Sequence, residues 1–210
     1  MSSTPAAKFV LLDLLMATMD SMSVWAVAAG DRNLGLRWRD AVTERMIARG
    51  EYAPYEELVL DAAAALHLPA AVGQDLRAAW KQIRAWPDAT ALEGTRPPYG
   101  FVTNCSTGLA AIAVERSGLR PAFTLSAEEA GWYKPRSEIY RLACDRFGAK
   151  PAETLFVAGA AYDARGASDA GLQAVLIARR PMPETPAADI DVVPSLHDAL
   201  ARVPRSRSAC

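Results

Sequence analysis

The sequence predicts an α/β protein, a parallel sheet with helices on both faces, interrupted after its first strand by an all-α insertion. Three observations predict it. The run Phe9-Val-Leu-Leu12 is continuously apolar and ends on Asp13, as a strand buried on both faces reads. Helical periodicity then fills the chain as far as Trp86, with no strand signal between. From Tyr99 onward, short β-prone runs alternate with helix-period segments, the pattern of a sheet covered on both sides.

The elements follow in order. After Asp13, Ser21 to Ala29 forms a short helix closed by Gly30. Leu34 to Ala48 is a longer one, because Leu36, Trp38, Ala41, Val42 and Met46 recur at helical spacing and Gly50 stops it. Tyr55 to Leu66 is a third helix, with Leu58, Leu60, Ala63 and Leu66 inward. Pro69 to Trp86 is a fourth, with Pro69 at its start and Val72, Leu76, Ala79, Trp80 and Ile83 on one stripe. Pro87 ends the insertion. The remaining strands are Tyr99 to Thr103, Ala122 to Leu125, Thr154 to Ala158, Ala174 to Ile177 and a short Asp191 to Val193. The intervening helices are Ser106 to Ser117, capped by Ser106 or Thr107, Pro135 to Phe147, Tyr162 to Ala170, and Ser195 to Ala201. Residues 205–210 read as a frayed tail.

A chain of 210 residues and 22.5 kDa fits one core domain with a sizeable insertion, or two small domains, and 51% apolar residues supply a core. A formal net charge of -1 gives no basic surface for nucleic acid. No apolar run is long enough to cross a membrane. Residues 1–8 lack the basic-then-apolar order of a signal peptide. Cys105, Cys144 and Cys210 are too scattered for a disulfide framework or a zinc site, which makes a reducing cytoplasm the expectation. With His67 and His197 as the whole histidine complement, any chemistry falls to acids, Lys and Arg.

Four stretches carry that chemistry. Asp13 ends the first strand, where open parallel sheets place their sites, and a carboxylate there serves as a nucleophile or simply caps the next helix. Phe101-Val-Thr103-Asn104-Cys105-Ser106 brings hydroxyl and amide groups to a helix N-terminus, suited to an anion or to plain capping. Lys134 stands beside Pro135 at the mouth of the sheet, where an ammonium would neutralise a carboxylate; a surface position is the alternative. Ala158-Gly-Ala-Ala-Tyr-Asp163 runs from a strand through small residues to an acid that opens a helix, whether for catalysis or for the helix dipole. Trp25, Trp80 and Trp86 read as core of the insertion, and Trp132 and Tyr133 as packing or pocket lining. Cys105 reads as a buried thiol and Arg165 as a solvent-facing cation.

Together these stretches resemble the haloacid dehalogenase (HAD) superfamily over nearly the whole chain, and most closely its L-2-haloacid dehalogenase branch. Asp20 matches a second Asp seven residues after the nucleophile, and Trp38-Arg39 matches a Trp-Arg pair of the cap. Thr103-Asn104 matches the Ser/Thr-Asn motif, and Tyr140 a Tyr six residues after the Lys. Ala85 to Leu92 looks like the segment that leads back to the core. The resemblance implies a Rossmann-like core over residues 1–16 and 93–210 and a helical cap over residues 17–92. It implies that Asp13 attacks the halogen-bearing carbon of a small 2-halo carboxylic acid, and that water steered by Asp163 hydrolyses the resulting ester. Arg39 and Asn104 would cradle the halide, and Lys134 would pair with both acids. Leu14 and Leu15, through backbone N–H groups, with Thr103, Asn104 and Tyr140, would bind substrate. No cofactor and no metal are expected, and a homodimer through the cap is.

The phosphatases of the superfamily fit less well. Their general acid two residues after the nucleophile is here Leu15, and the partner acid of their Mg²⁺ site is here Gly159. The chain also departs from the dehalogenase pattern. Asp-x-Tyr-Gly-Thr-Leu is here Asp13-Leu-Leu-Met16-Ala17-Thr18, and the Ser and Asn of the last motif are Ala158 and Ala160. Three readings follow: a dehalogenase with a sparser site, an enzyme acting on another small carboxylate, or a degenerate member that binds without turnover.

Overall fold

The computed structural model describes residues 6–95, 97–179 and 190–203; residues 205–210, expected to fray, and Cys210 lie outside them. Strand β1 (Phe9–Asp13) leads through a π-helical turn (Leu14–Thr18) into four helices, α1 (Ser21–Ala29), α2 (Arg32–Arg49), α3 (Tyr55–Ala65) and α4 (Val72–Trp80). A 3₁₀ turn (Pro87–Leu92) returns to β2 (Tyr99–Thr103), followed by α5 (Thr107–Ser117), β3 (Thr124–Ser126), α6 (Ala127–Ala130) and α7 (Ser137–Phe147). A second 3₁₀ turn (Pro151–Glu153) precedes β4 (Thr154–Ala158), α8 (Ala161–Asp169), β5 (Gln173–Ile177), β6 (Asp191–Val193) and α9 (Leu196–Leu200).

Among the described residues the strands form one parallel sheet in the order β3-β2-β1-β4-β5-β6. The chain winds outward in both directions from β1, so the C-terminal ends of β1, β2 and β4 meet at the point where the strand order reverses. Open α/β sheets bind ligands there. Asp13 pairs with Val102 and Leu12 with Val157, which sets the end of the first strand beside those of its neighbours. The interior of β1 and the whole of β2 and β4 are buried, as their unbroken apolar runs require.

The fourth helix of the insertion is shorter than its stripe predicts. It ends at Trp80 because the next stretch of backbone is engaged elsewhere: Asp20 N–H donates to Arg84 O (2.8 Å), Trp86 N–H to Thr18 O (2.9 Å), and Met19 bridges Ala85 antiparallel. The outgoing and returning strands of the insertion are therefore paired with each other. Helix α7 begins at Ser137 and not at Pro135, since residues 133–136 form a turn closed by Arg136 N–H to Tyr133 O (2.9 Å). Ser106 stands at the N-cap of α5 without capping it; its hydroxyl donates to Glu56 of α3 (2.7 Å).

Inside the insertion α1 packs tightly on α2. A Cβ at Gly35 would lie 2.5 Å from Trp25 O, so only glycine allows this approach, and Trp25 meets Trp38 edge-on at 4.8 Å. The insertion is tied beside the site to the loop between α6 and α7 and to α5. Tyr133 N–H donates to Gly50 O (2.7 Å), Tyr52 N–H to Gly131 O (2.9 Å) and Trp80 Nε1–H to Leu109 O (3.0 Å).

Candidate active site

The π turn after β1 presents Asp13. Its carboxylate accepts from two amides of that turn, with Oδ2 taking Met16 N–H (2.8 Å) and Ala17 N–H (3.3 Å), while Thr18 Oγ1–H closes onto Asp13 O (3.2 Å). The side chain is thereby fixed before any ligand arrives. Lys134 faces it from the loop between α6 and α7. Asn104 holds that loop at residue 134 from both ends: Oδ1 accepts Lys134 N–H (2.7 Å) and Nδ2 donates to Lys134 O (3.1 Å).

The Lys134 ammonium is buried and directs its donors to Asp13 Oδ1 (2.8 Å), Asp163 Oδ2 (2.7 Å) and Val102 O (3.2 Å). Burial disfavours this cation, and the Asp13 and Asp163 carboxylates together outweigh burial, so its pKa lies above the ordinary lysine value. Asp163, in the first turn of α8, also accepts Tyr140 OH on Oδ1 (2.6 Å). Burial pushes its pKa up to about 6, against the opposing pull of Lys134 and Tyr140. A carboxylate with that pKa is a usable base near neutral pH.

A cavity of about 40 Å³ opens on Asp13 and Lys134 between sheet and insertion. Arg39, Asn104, Leu15 and Tyr162 line it, and Met16, Trp25, Val42, Met46, Tyr55 and Cys105 give it an apolar wall. Arg39 is buried in α2 and pairs with Asp40 through Nη1 (2.7 Å). The arrangement holds a fixed carboxylate, a guanidinium and an ammonium around a small apolar space. It suits displacement at the carbon of a small anion.

Of the residues singled out from sequence, Asp13, Leu15, Arg39, Asn104 and Lys134 meet at this cavity, and Asp163 stands behind Lys134. The side chains of Leu14, Thr103 and Tyr140 do not line it, and the part expected of Leu14 belongs to its backbone N–H. Leu14 is in the core. Thr103 is fully buried, with Oγ1 engaged by Cys105 N–H (3.5 Å) and Sγ (3.3 Å). Tyr140 is buried against Phe156 and serves Asp163. Trp132 and Tyr133 also lie away from the cavity; Trp132 stacks on Arg136 and Tyr133 OH donates to Ala53 O.

Tyr162 escaped the sequence reading. It lines the same cavity as Lys134, and burial pushes its pKa up to about 12. The one available signal was its place next to Asp163 in the first turn of a helix. Burial likewise pushes Cys105 up to about 12, which keeps it a thiol. At Gly159 a Cβ would stand 2.3 Å from Met16 Cβ and 2.5 Å from Ala17 N, so the π turn excludes any side chain there, an acid included.

No family model matches the chain. An (S)-2-haloacid dehalogenase 4A of Burkholderia cepacia is 30% identical over 188 residues, covering 82% of this chain and 80% of that one. The chain belongs to the haloacid dehalogenase superfamily, in its L-2-haloacid dehalogenase-like branch. An (S)-2-haloacid dehalogenase 1 of a Pseudomonas species is 32% identical over 112 residues, half of this chain and 49% of that one. Among solved structures, a dehalogenase with intermediate complex superposes with a TM-score of 0.83 at 26% identity, covering 97% of this chain and all of that one. An L-2-haloacid dehalogenase from Xanthobacter autotrophicus shares the fold at 22% identity and a TM-score of 0.79, with 93% and 97% covered. In this haloacid dehalogenase-like chain, Ala158 and Ala160 leave the loop before α8 without a side-chain hydroxyl or amide at those two places.

Proposed function

We propose that this chain is a hydrolase of carbon–halide bonds that converts a small 2-halo carboxylic acid into the 2-hydroxy acid. The observation that carries the reading is the buried Asp13–Lys134–Asp163 array opening on a small cavity with Arg39. An Asp13 carboxylate oxygen bonds to the halogen-bearing carbon as the carbon–halogen bond breaks. The halide leaves with the electron pair towards Arg39 and the free Nδ2–H of Asn104. No proton is needed, since halide leaves as an anion. Water then adds to the ester carbonyl of Asp13 while Asp163 takes one proton. Collapse of the adduct expels the alkoxide, which recovers that proton, and Asp13 releases the remaining one to solvent.

Supporting the hydrolytic step, Asp163 lies near its pKa at neutral pH, and the Lys134 ammonium offsets charge that develops at Asp13. Against a phosphatase reading, Leu15 stands at the cavity where a general acid would be needed. The helices inserted between β1 and β2 act as a cap, with core 1–16 and 93–210 and cap 17–92. We also propose a cytoplasmic homodimer that pairs through the cap. Val27, Ile47 and Leu60 are exposed on that insertion, Leu60 contrary to its expected inward place, and support the pairing, and the unbridged Cys105 and Cys144 fit a reducing compartment.

The bare loop at Ala158 and Ala160 favours one second reading, in which Asp13 is alkylated and the ester is hydrolysed slowly. One experiment separates the readings. Halide release from chloroacetate and 2-chloropropionate is followed with mass analysis of the protein. Multiple turnovers that Asp13→Asn abolishes support the hydrolase. One halide per chain with a lasting adduct on Asp13 supports the second reading. No halide and no adduct refutes both.

A further inference from the structure

The turn that aims Asp13 is held from behind by a cluster that does not touch the cavity. Three successive carbonyls of the π turn each accept one bond from it. Met16 O takes Trp86 Nε1–H (3.0 Å), Ala17 O takes Arg179 Nη2–H (2.7 Å) and Thr18 O takes Trp86 N–H (2.9 Å). Arg179 follows β5, and Trp86 and Asp88 lie at the 3₁₀ turn leaving the insertion. Asp88 grips the guanidinium with two bonds of 2.9 Å and accepts Leu196 N–H (2.8 Å), and Arg179 lies 5.2 Å over the Trp86 ring. Burial would raise the Asp88 pKa, but the bonds from Arg179 and Leu196 hold it below the ordinary value.

The same turn supplies the amides that bind Asp13. The Met16–Ala17 peptide is a planar unit. Its oxygen is fixed by the Trp86 indole, and its N–H points to Asp13 Oδ2. The next peptide is fixed through its oxygen by Arg179. Terminal carbonyls of a helical turn lack internal partners, and this cluster provides them. Arg179 keeps this geometry although its Nε is, among the described residues, the only buried side-chain polar atom without a partner. Such an orphan calls for a reason.

We infer that Arg179, clamped by Asp88 and Trp86, is a positioning residue for the nucleophile: it fixes the backbone of residues 16–18 so that their amides hold one Asp13 oxygen and direct the carboxylate at the cavity. The inference rests on the dehalogenation proposed above.

Two variants test it. Arg179→Lys keeps a charge beside Asp88, but one ammonium cannot grip that carboxylate twice and reach Ala17 O as well. Trp86→Phe keeps a ring under the guanidinium and removes only the indole donor to Met16 O. The halide burst from 2-chloropropionate, or from chloroacetate if that is the better substrate, is measured by rapid quench per folded molecule, well below each variant's Tm. The expected result is a first step slowed about tenfold or more in each variant, with KM within about twofold, because small misplacements of reacting groups are that expensive. The double variant falls less than the product of the singles, because both act on one turn. Burst rates within about twofold of the wild type in both variants would overturn the inference and mark the cluster as fold support alone. A wild type that releases no halide refutes the proposed function instead.

Discussion

Replacing Tyr140 by Phe isolates one hydrogen bond to the proposed base. The Tyr140 hydroxyl donates to Asp163 Oδ1 at 2.6 Å and makes a second, longer contact to Asp163 O at 3.1 Å. Phe keeps the edge-on packing against Phe156, whose centroid is 5.1 Å away. The bond favours the carboxylate, so its loss raises the Asp163 pKa above its value of about 6. A hydrogen bond to a charged group contributes about 1.5–3 kcal/mol, and one pKa unit corresponds to about 1.36 kcal/mol. The expected rise is therefore roughly one to two units. Asp163 must be ionised to take a proton from water, so activity rises with pH through its pKa, and in Tyr140→Phe this acid limb moves to higher pH. The assay is the pH profile of ester hydrolysis in single-turnover experiments from pH 5 upward. Tyr140 itself stays a donor throughout, because burial, followed by the Asp163 charge, holds its pKa well above the ordinary tyrosine value. A limb that stays put within about 0.3 unit, or shifts to lower pH, would refute the assignment of Asp163 as the base.

Further outcomes follow from the same geometry. Lys134→Met leaves two buried carboxylates facing each other; halide release disappears, and urea unfolding shows a loss of about 3–5 kcal/mol that is partly recovered at low pH as one acid protonates. Arg39→Lys lowers kcat about 10- to 100-fold, and more for a chloro than for an iodo substrate, because chloride depends more on the lost donors. A leaving-group series that falls uniformly would argue against Arg39 as the halide cradle. Gly159→Asp forces a side chain onto Met16 and Ala17 and lowers stability by about 3 kcal/mol or more in a thermal melt.

The parts of this fold that were readable from sequence are those set by local pattern. Tyr99 to Thr103 and Thr154 to Ala158 are apolar and β-prone throughout, and both strands lie where that pattern puts them. Asp13 was legible because it closes an apolar strand where open parallel sheets place their sites, and Lys134 because it precedes a proline. What local pattern missed was decided by distant backbone. The run Leu14-Leu-Met16 has no period of its own, so nothing in it announces a π turn; the turn exists because Trp86 and Arg179 satisfy its carbonyls. The stripe ending at Trp86 continues past the real end of α4 because the pairing of residues 84–86 with residues 18–20 leaves no local trace. Thr103 sits at a strand end, where one residue of pleat decides between cavity and core, and composition does not tell which. Tyr162 reads as core in any helical pattern, and only the three-dimensional arrangement brings it to the cavity that Lys134 lines.

The bridge between Met19 and Ala85 has a topological consequence. Because the insertion leaves and re-enters the sheet through touching strands, the core meets it as a single doorway and not as two separate threads. Whatever hangs from that doorway can be lengthened, shortened or exchanged without altering the path of any sheet strand. Among the described residues, Arg39 is the one charged group lining the cavity that would leave with it. Asp13 and its ammonium belong to the frame of the door, and the guanidinium belongs to what hangs there.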